Sequence, residues 1–276
     1  MYSVLRHHPD RQFHFHILTD EPPRDEFELM MRWLESRRFA FEHQIVSVDS
    51  FESVYDHKYS ISPIILNKVR LDDILPDYVE QVVYIDSDTL LLDGADELLD
   101  YELDGSAVIG VPDNSVSIQY EVDNLARFVN GGVLKFDLKE WKRKDMTARC
   151  LEYLAQHEDY KLEETSLNVI AHQMDLIDYL PPEFNSITNY SKRFDAAGKL
   201  PKIVHYASIE KPWYRYTNTP LRDSWLKICA ETPLADIYPT SEGFRSYLPK
   251  KIEREIYYHI SRYEAIMGLI SKLRGN

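Results

Sequence analysis

Cysteine, long apolar runs and positive charge are all scarce in this sequence, and each scarcity removes a class of function. Cysteine occurs twice in 276 residues, as Cys150 and Cys229, without CxxC spacing. That excludes a thiolate zinc site and fits a reducing compartment. No apolar run approaches the ~20 residues needed to cross a bilayer, and the opening stretch MYSVLRHHPD lacks the apolar length of a secretion signal. The chain is therefore expected in the cytoplasm, or attached to a membrane from the cytosolic side. Basic residues number 32 against 46 acidic ones, a net charge of −14. This rules out a general nucleic-acid binder, because phosphate backbones demand a basic surface.

What is present is the composition of a globular α/β chain, long enough for one large domain or one domain with an appendage. Phe13 to Asp20 alternates as a strand and is stopped by Glu21-Pro22-Pro23; the segment onward to about Phe39 has helical spacing, and Phe41 to Val48 reads as a second strand. A helix is expected over Ile64 to Ile74, ended by Pro76. Val82-Val83-Tyr84-Ile85 is a continuous apolar run of the kind buried in a parallel sheet. Strands at Ala107 to Val111 and Gly132 to Asp137 and a helix at Met146 to Gln156 follow, so elements alternate as in an open, mostly parallel α/β sheet. In such sheets ligands gather at the carboxyl ends of strands.

At that end of Val82 to Ile85 stands Asp86-Ser87-Asp88. In an extended chain the two carboxylates point to one side, where they repel unless a cation or proton intervenes. A hard divalent ion, Mg²⁺ or Mn²⁺, satisfies both and keeps positions open for phosphate oxygens. The plain alternative is a solvated turn. A third ligand must come from elsewhere, and His205, ending the short apolar run Ile203-Val204, is the best placed of the ten histidines. His14 and His16 alternate on a strand, where ordinary packing is expected.

Four segments in order, VVYIDSDTLLLDGADELL, FVNGGVLKFDLKEWKR, KLEETSLNVI and KIVHYASIEKPW, resemble the family 8 retaining glycosyltransferases. These include the bacterial lipopolysaccharide core α-glucosyl- and α-galactosyltransferases and the glycogenin-like enzymes. The resemblance implies a GT-A-like fold, with a mixed, mostly parallel sheet. It implies Mn²⁺ (or Mg²⁺) held by Asp86, Asp88 and His205, with Ser87 between them beside the donor. UDP-glucose or UDP-galactose is the implied donor and Lys211 the contact to its diphosphate, where the departing charge needs neutralising. Asn130 and Gly131 fall beside the donor sugar, a glycine turn letting backbone approach the hexose; a bulge in a strand is the structural alternative. Glu163 and Glu164 fall next to the anomeric carbon.

The chain departs from the family pattern in four places. Glu163-Glu164 stands where the family has Asp-Gln, so Glu164 is a nucleophile, an electrostatic partner or, with Glu163, a solvated pair at a helix start; retention requires either a covalent intermediate or same-face attack. Lys68, which the resemblance sets with Lys211 as a stabiliser of the leaving diphosphate, replaces an arginine, keeping charge but losing the bidentate fork. Ser208 replaces a glycine beside the diphosphate. The fourth departure is at the start, where the strand that grips the nucleotide base has no counterpart before Met1-Tyr2-Ser3-Val4, an expectation that carries weak donor binding with it.

From Lys250 to Asn276 six basic residues face three acidic ones, leaving +3 there and −17 on the remainder. Ile252, Ile256, Ile260, Tyr263, Met267, Ile270 and Leu273 recur at helical steps. Such a stripe packs on its own domain or lies on an anionic membrane surface. The expected organisation is a catalytic domain over 1–218 and a helical extension over 219–276. The expected activity is hexose transfer onto a lipid-linked lipopolysaccharide core oligosaccharide at the inner face of the inner membrane. Its rival is a catalytically silent relative that binds a glycan or partner protein.

Overall fold

Phenylalanine and histidine alternate along β1 (Phe13–Thr19), and the alternation sorts them onto opposite faces. Helices α1 (Tyr2–His7) and α2 (Asp25–Ser36) bury Leu5, Met31 and Leu34 in a cluster that takes in Phe13, Phe15 and Phe41. β1 pairs in parallel with β2 (Phe41–Ser47), from Phe13 opposite Phe41 to Thr19 opposite Ser47. The computed structural model describes residues 1–48, 63–113, 127–157, 163–188, 201–207, 210–215 and 217–239.

The helix expected over Ile64 to Ile74 is instead a 3-10 segment, Pro63–Arg70, that becomes α-helical only in α3 (Leu71–Ile74). β-branched Ile64, Ile65 and Val69 are poor helix formers, and the Asn67 side-chain amide donates to the Ile64 carbonyl at 3.0 Å, competing with the regular ladder.

β3 (Gln81–Ile85) leads through the Asp86-Ser87-Asp88 turn into β4 (Thr89–Leu91) and α4 (Asp96–Leu99). β5 (Val108–Pro112), β6 (Val129–Asp137), α5 (Leu138–Arg143), α6 (Met146–Gln156), α7 (Glu163–Gln173) and β7 (Ile177–Tyr179) follow. Asp137 caps α5, accepting from the Glu140 amide at 2.9 Å.

One sheet has the order β3-β6-β5-β7 and is mixed: β6 is antiparallel to both β3 and β5, and β7 is parallel to β5. Both faces are covered. Val108, Leu134 and Phe136 pack with Trp141, Met146 and Leu167, whereas Ile109, Val111 and Val133 pack with Leu98, Phe184 and Ile203. Val82 to Ile85, expected to be buried among parallel neighbours, instead runs antiparallel to β6, at the edge of its sheet among the described strands, and is half-buried. A second sheet, β4-β9-β8, joins β4 to β9 (Ile203–His205) and β8 (Ser186–Ile187).

The chain divides into two compact units, Met1–His205 and Tyr206–Asn276. In the second, α8 (Arg222–Cys229) sits beside a loop that Arg222 ties down by donating to the Pro212 and Tyr214 carbonyls. The apolar stripe from Ile252 to Leu273 lies outside the described residues. No helix among the described residues is long and apolar enough to cross a membrane.

Candidate active site

The site lies where two sheets share one stretch of chain. β3 ends at Ile85, the chain turns through Asp86, Ser87 and Asp88, and β4 begins the second sheet at Thr89. The turn is pinned at its entry, where the Asp86 amide donates to the Gly132 carbonyl at 2.8 Å. It is pinned at its exit, where Thr89 donates to the Asp86 carbonyl from its amide and, at 2.9 Å, from its hydroxyl. The two carboxylates therefore converge through a turn and not through extended-strand alternation.

Strand register then delivers the third group, because His205 lies directly opposite Thr89 in the β4–β9 pair. His205 Nε2 stands 3.2 Å from Asp88 Oδ1 and 3.6 Å from Asp86 Oδ2. Among the described residues these three form the one acid–histidine cluster of metal-ligating geometry, with ligand atoms within 4.8 Å of one another. Two carboxylate oxygens and one imidazole nitrogen suit a hard or borderline divalent cation with coordination positions left for water or phosphate. Ser87, at the tip of the turn, is exposed. His14 and His16 stack on each other at 4.4 Å, outside this cluster.

Beneath the turn lies a buried charge cluster. Lys68, only 4% exposed, donates to Glu163 at 2.9 Å, stands 3.8 Å from Asp86 Oδ1, and sits over the Tyr84 ring. Burial opposes the charge on Lys68, but the carboxylates of Glu163 and Asp86 outweigh it and hold its pKa well above the ordinary lysine value. Glu163 and Glu164 begin α7, and Glu163 is buried, so the pair is not a solvated helix start. Glu164 accepts from the Gly131 amide, and burial reinforced by the neighbouring Glu163 charge pushes its pKa up to about 8.

The two glycines of the Val129 to Leu134 segment also make room inside the site. Both lie within strand β6. A Cβ on Gly131 would come within 2.8 Å of Lys68 Nζ, and a Cβ on Gly132 would collide with the His205 ring. Each absent side chain thus leaves room for a protein group of the site. Asn130, half-buried, accepts at Oδ1 from the Gly132 amide at 3.0 Å and from the Asn185 amide at 2.8 Å.

Lys211 belongs to the second unit, where it donates to the Tyr206 carbonyl at 2.7 Å. Ser208 lies outside the described residues. Three residues not singled out from the sequence also contribute. Tyr84 donates to Asp86 Oδ1 at 2.8 Å, Asn185 faces His205 Nδ1 at 3.0 Å, and Asn168 clasps Val129 by exchanging two hydrogen bonds with its backbone. Tyr84 was legible two residues before Asp86 on the same strand; Asn185 had no spacing signal.

The family model described as Glycosyl transferase family 8 matches residues 1–217. General stress protein A of Bacillus subtilis (strain 168) is 23% identical over 218 residues, covering 71% of this chain and 75% of that protein. A lipopolysaccharide 1,2-glucosyltransferase of Escherichia coli is 21% identical over 276 residues, covering 94% and 79%. Two other relatives are matched over less than half of their own length, 39% and 46%. Among solved structures, the galactosyltransferase LgtC, in complex with donor and acceptor sugar analogues, superposes with a TM-score of 0.72 at 20% identity, over 89% of this chain and 93% of that one. The fold is therefore of the GT-A type.

Proposed function

The chain belongs to glycosyl transferase family 8, and from that premise we propose that it transfers glucose or galactose, with retention, from a UDP-sugar onto a lipopolysaccharide core oligosaccharide. The observation that carries the reading is the convergence of Asp86, Asp88 and His205 at the junction of two sheets. The length over which the lipopolysaccharide glucosyltransferase matches supports the choice of acceptor.

Asp86, Asp88 and His205 would hold Mn²⁺ or Mg²⁺, which when bound neutralises the negative charge of a departing nucleoside diphosphate. By the family resemblance, Lys211 would supply a second positive charge for that diphosphate, and Ser87 and Ser208 would be donor-binding residues. Lys68, paired with Glu163 and close to Asp86, would add positive charge on the side of the departing diphosphate. Asn130 and the Gly131 backbone address the hexose. Glu164, its carboxyl kept neutral to about pH 8 by burial, is a poor nucleophile at neutral pH, which favours same-face attack over a covalent glycosyl-enzyme. Residues 219–276 form the extension that brings the enzyme to a lipid-linked acceptor at the inner membrane surface, basic residues meeting anionic lipid.

The test is release of UDP from UDP-glucose and UDP-galactose in the presence of Mn²⁺, with product mass recorded on a core-oligosaccharide acceptor. Asp86→Asn and Asp88→Asn should each lower the rate by roughly 100-fold or more, the scale of losing one electrostatic stabiliser, and chelation should abolish it. Turnover indifferent to chelator and to both substitutions would sink the reading.

A further inference from the structure

The hydrogen bonds around Asn185 form a chain whose polarity is fixed from one end. The fixed end is the Gly132 backbone amide, which can only donate. It points at Asn130 at 3.0 Å, so the Asn130 atom there is the carbonyl oxygen. That same oxygen receives Asn185 at 2.8 Å, so the Asn185 atom facing it is the amide nitrogen. The other end of Asn185 is then its oxygen, which can only accept, and it lies 3.0 Å from His205 Nδ1. Nδ1 must therefore carry the proton, and in a neutral imidazole Nε2 is left with its lone pair.

We infer that Asn185 is a positioning residue which, with Asn130, relays the polarity of the Gly132 amide to His205 and fixes the tautomer that presents the Nε2 lone pair to Asp86 and Asp88. The inference rests on the reading of those three residues as a cation site. Without a cation, a lone pair facing carboxylate oxygens at 3.2 and 3.6 Å is an arrangement of like polarity. With one, it is a set of three donors aimed at a common point, and the partner on the far ring nitrogen orients the ligand and strengthens it.

The surroundings support the relay at its Asn185–His205 end. Asn185 and His205 are 4% and 3% exposed, so water does not compete for their hydrogen bonds. Parallel pairing of β8 with β9, Ser186 opposite Val204 and Ile187 opposite His205, sets the segment that follows Asn185 against the strand that carries the imidazole. The imidazole lies against Gly132, where a side chain would displace it.

The full chain, ¹⁵N-labelled at histidine and free of metal at mildly alkaline pH, should show His205 as a single Nδ1–H tautomer by long-range ¹⁵N–¹H correlation. The signal is assigned by its loss in His205→Ala. Asn185→Ala should give a mixture of tautomers and a roughly 10–100-fold weaker Mn²⁺ affinity by titration, the usual cost of removing such a partner. Asn185→Asp, which keeps an acceptor for Nδ1, should retain the single tautomer. A single Nδ1–H tautomer and undiminished Mn²⁺ affinity in Asn185→Ala would overturn the relay, as would a mixture in Asn185→Asp. Asp86→Asn separates the two claims. Unchanged Mn²⁺ affinity there removes the cation reading, while the metal-free tautomer still decides the role of Asn185.

Discussion

Glu164 shows how much of this site is set by the surroundings of single residues. Its carboxyl accepts from the Gly131 amide, but partial burial and, after it, the neighbouring Glu163 charge raise its pKa from 4.5 in an ordinary glutamate to about 8. The unfolded chain releases this proton near pH 4.5, whereas the folded chain keeps it until about pH 8. Over that window the native state binds more protons, so stability falls as pH rises and levels off above it. Metal-free protein followed by thermal unfolding between pH 5 and 8 should lose stability relative to Glu164→Gln, which cannot ionise. Parallel pH profiles for the two proteins would show that Glu164 is ionised throughout. The same substitution should cost less than about tenfold in kcat if attack is same-face, whereas loss of a true nucleophile costs orders of magnitude more. Gly131 and Gly132 teach a complementary lesson. Their motif was legible, but the room they leave for Lys68 and His205 was not, because those side chains are remote in sequence.

Among the elements, those with strong local patterns were read almost to the residue. β1, β2 and α6 follow apolar periodicity and breakers that need no tertiary information. The 3-10 form of Pro63–Arg70 was not legible, since a helical apolar pattern does not separate the two helix types over eight residues. Nor was the antiparallel run of β3 along β6, because a continuous apolar strand reads alike in either direction. That 3-10 segment and α7 are joined by the Lys68–Glu163 pair, buried at both ends. Lys68→Met should destabilise the fold by ~3–5 kcal/mol in urea unfolding, because it strands a buried carboxylate. Adding Glu163→Gln should recover part of the loss. A single mutant as stable as wild type would show that the carboxylates do not depend on this ammonium.

On the scale of the whole molecule, charge is distributed against the direction of the proposed work. The chain outside Lys250 to Asn276 carries −17 and is repelled by anionic lipid, while the closing stretch carries +3. Removing the residues after Pro249 should abolish sedimentation with anionic liposomes while UDP release persists; sedimentation unchanged by the deletion would leave the acceptor to be met in solution. The three proposed cation ligands, Asp86, Asp88 and His205, lie across a seam of the fold. Two are in the bend that leaves one sheet and the third closes a strand of the other, so an ion seated there stitches a seam between layers that each have their own hydrogen-bonded lattice. Unpicking that stitch with a chelator should speed amide exchange in the short strands β8 and β9 and leave the long β5–β6 ladder as slow as before. An ion that eases the departure of a nucleoside diphosphate would then also keep the garment closed around it.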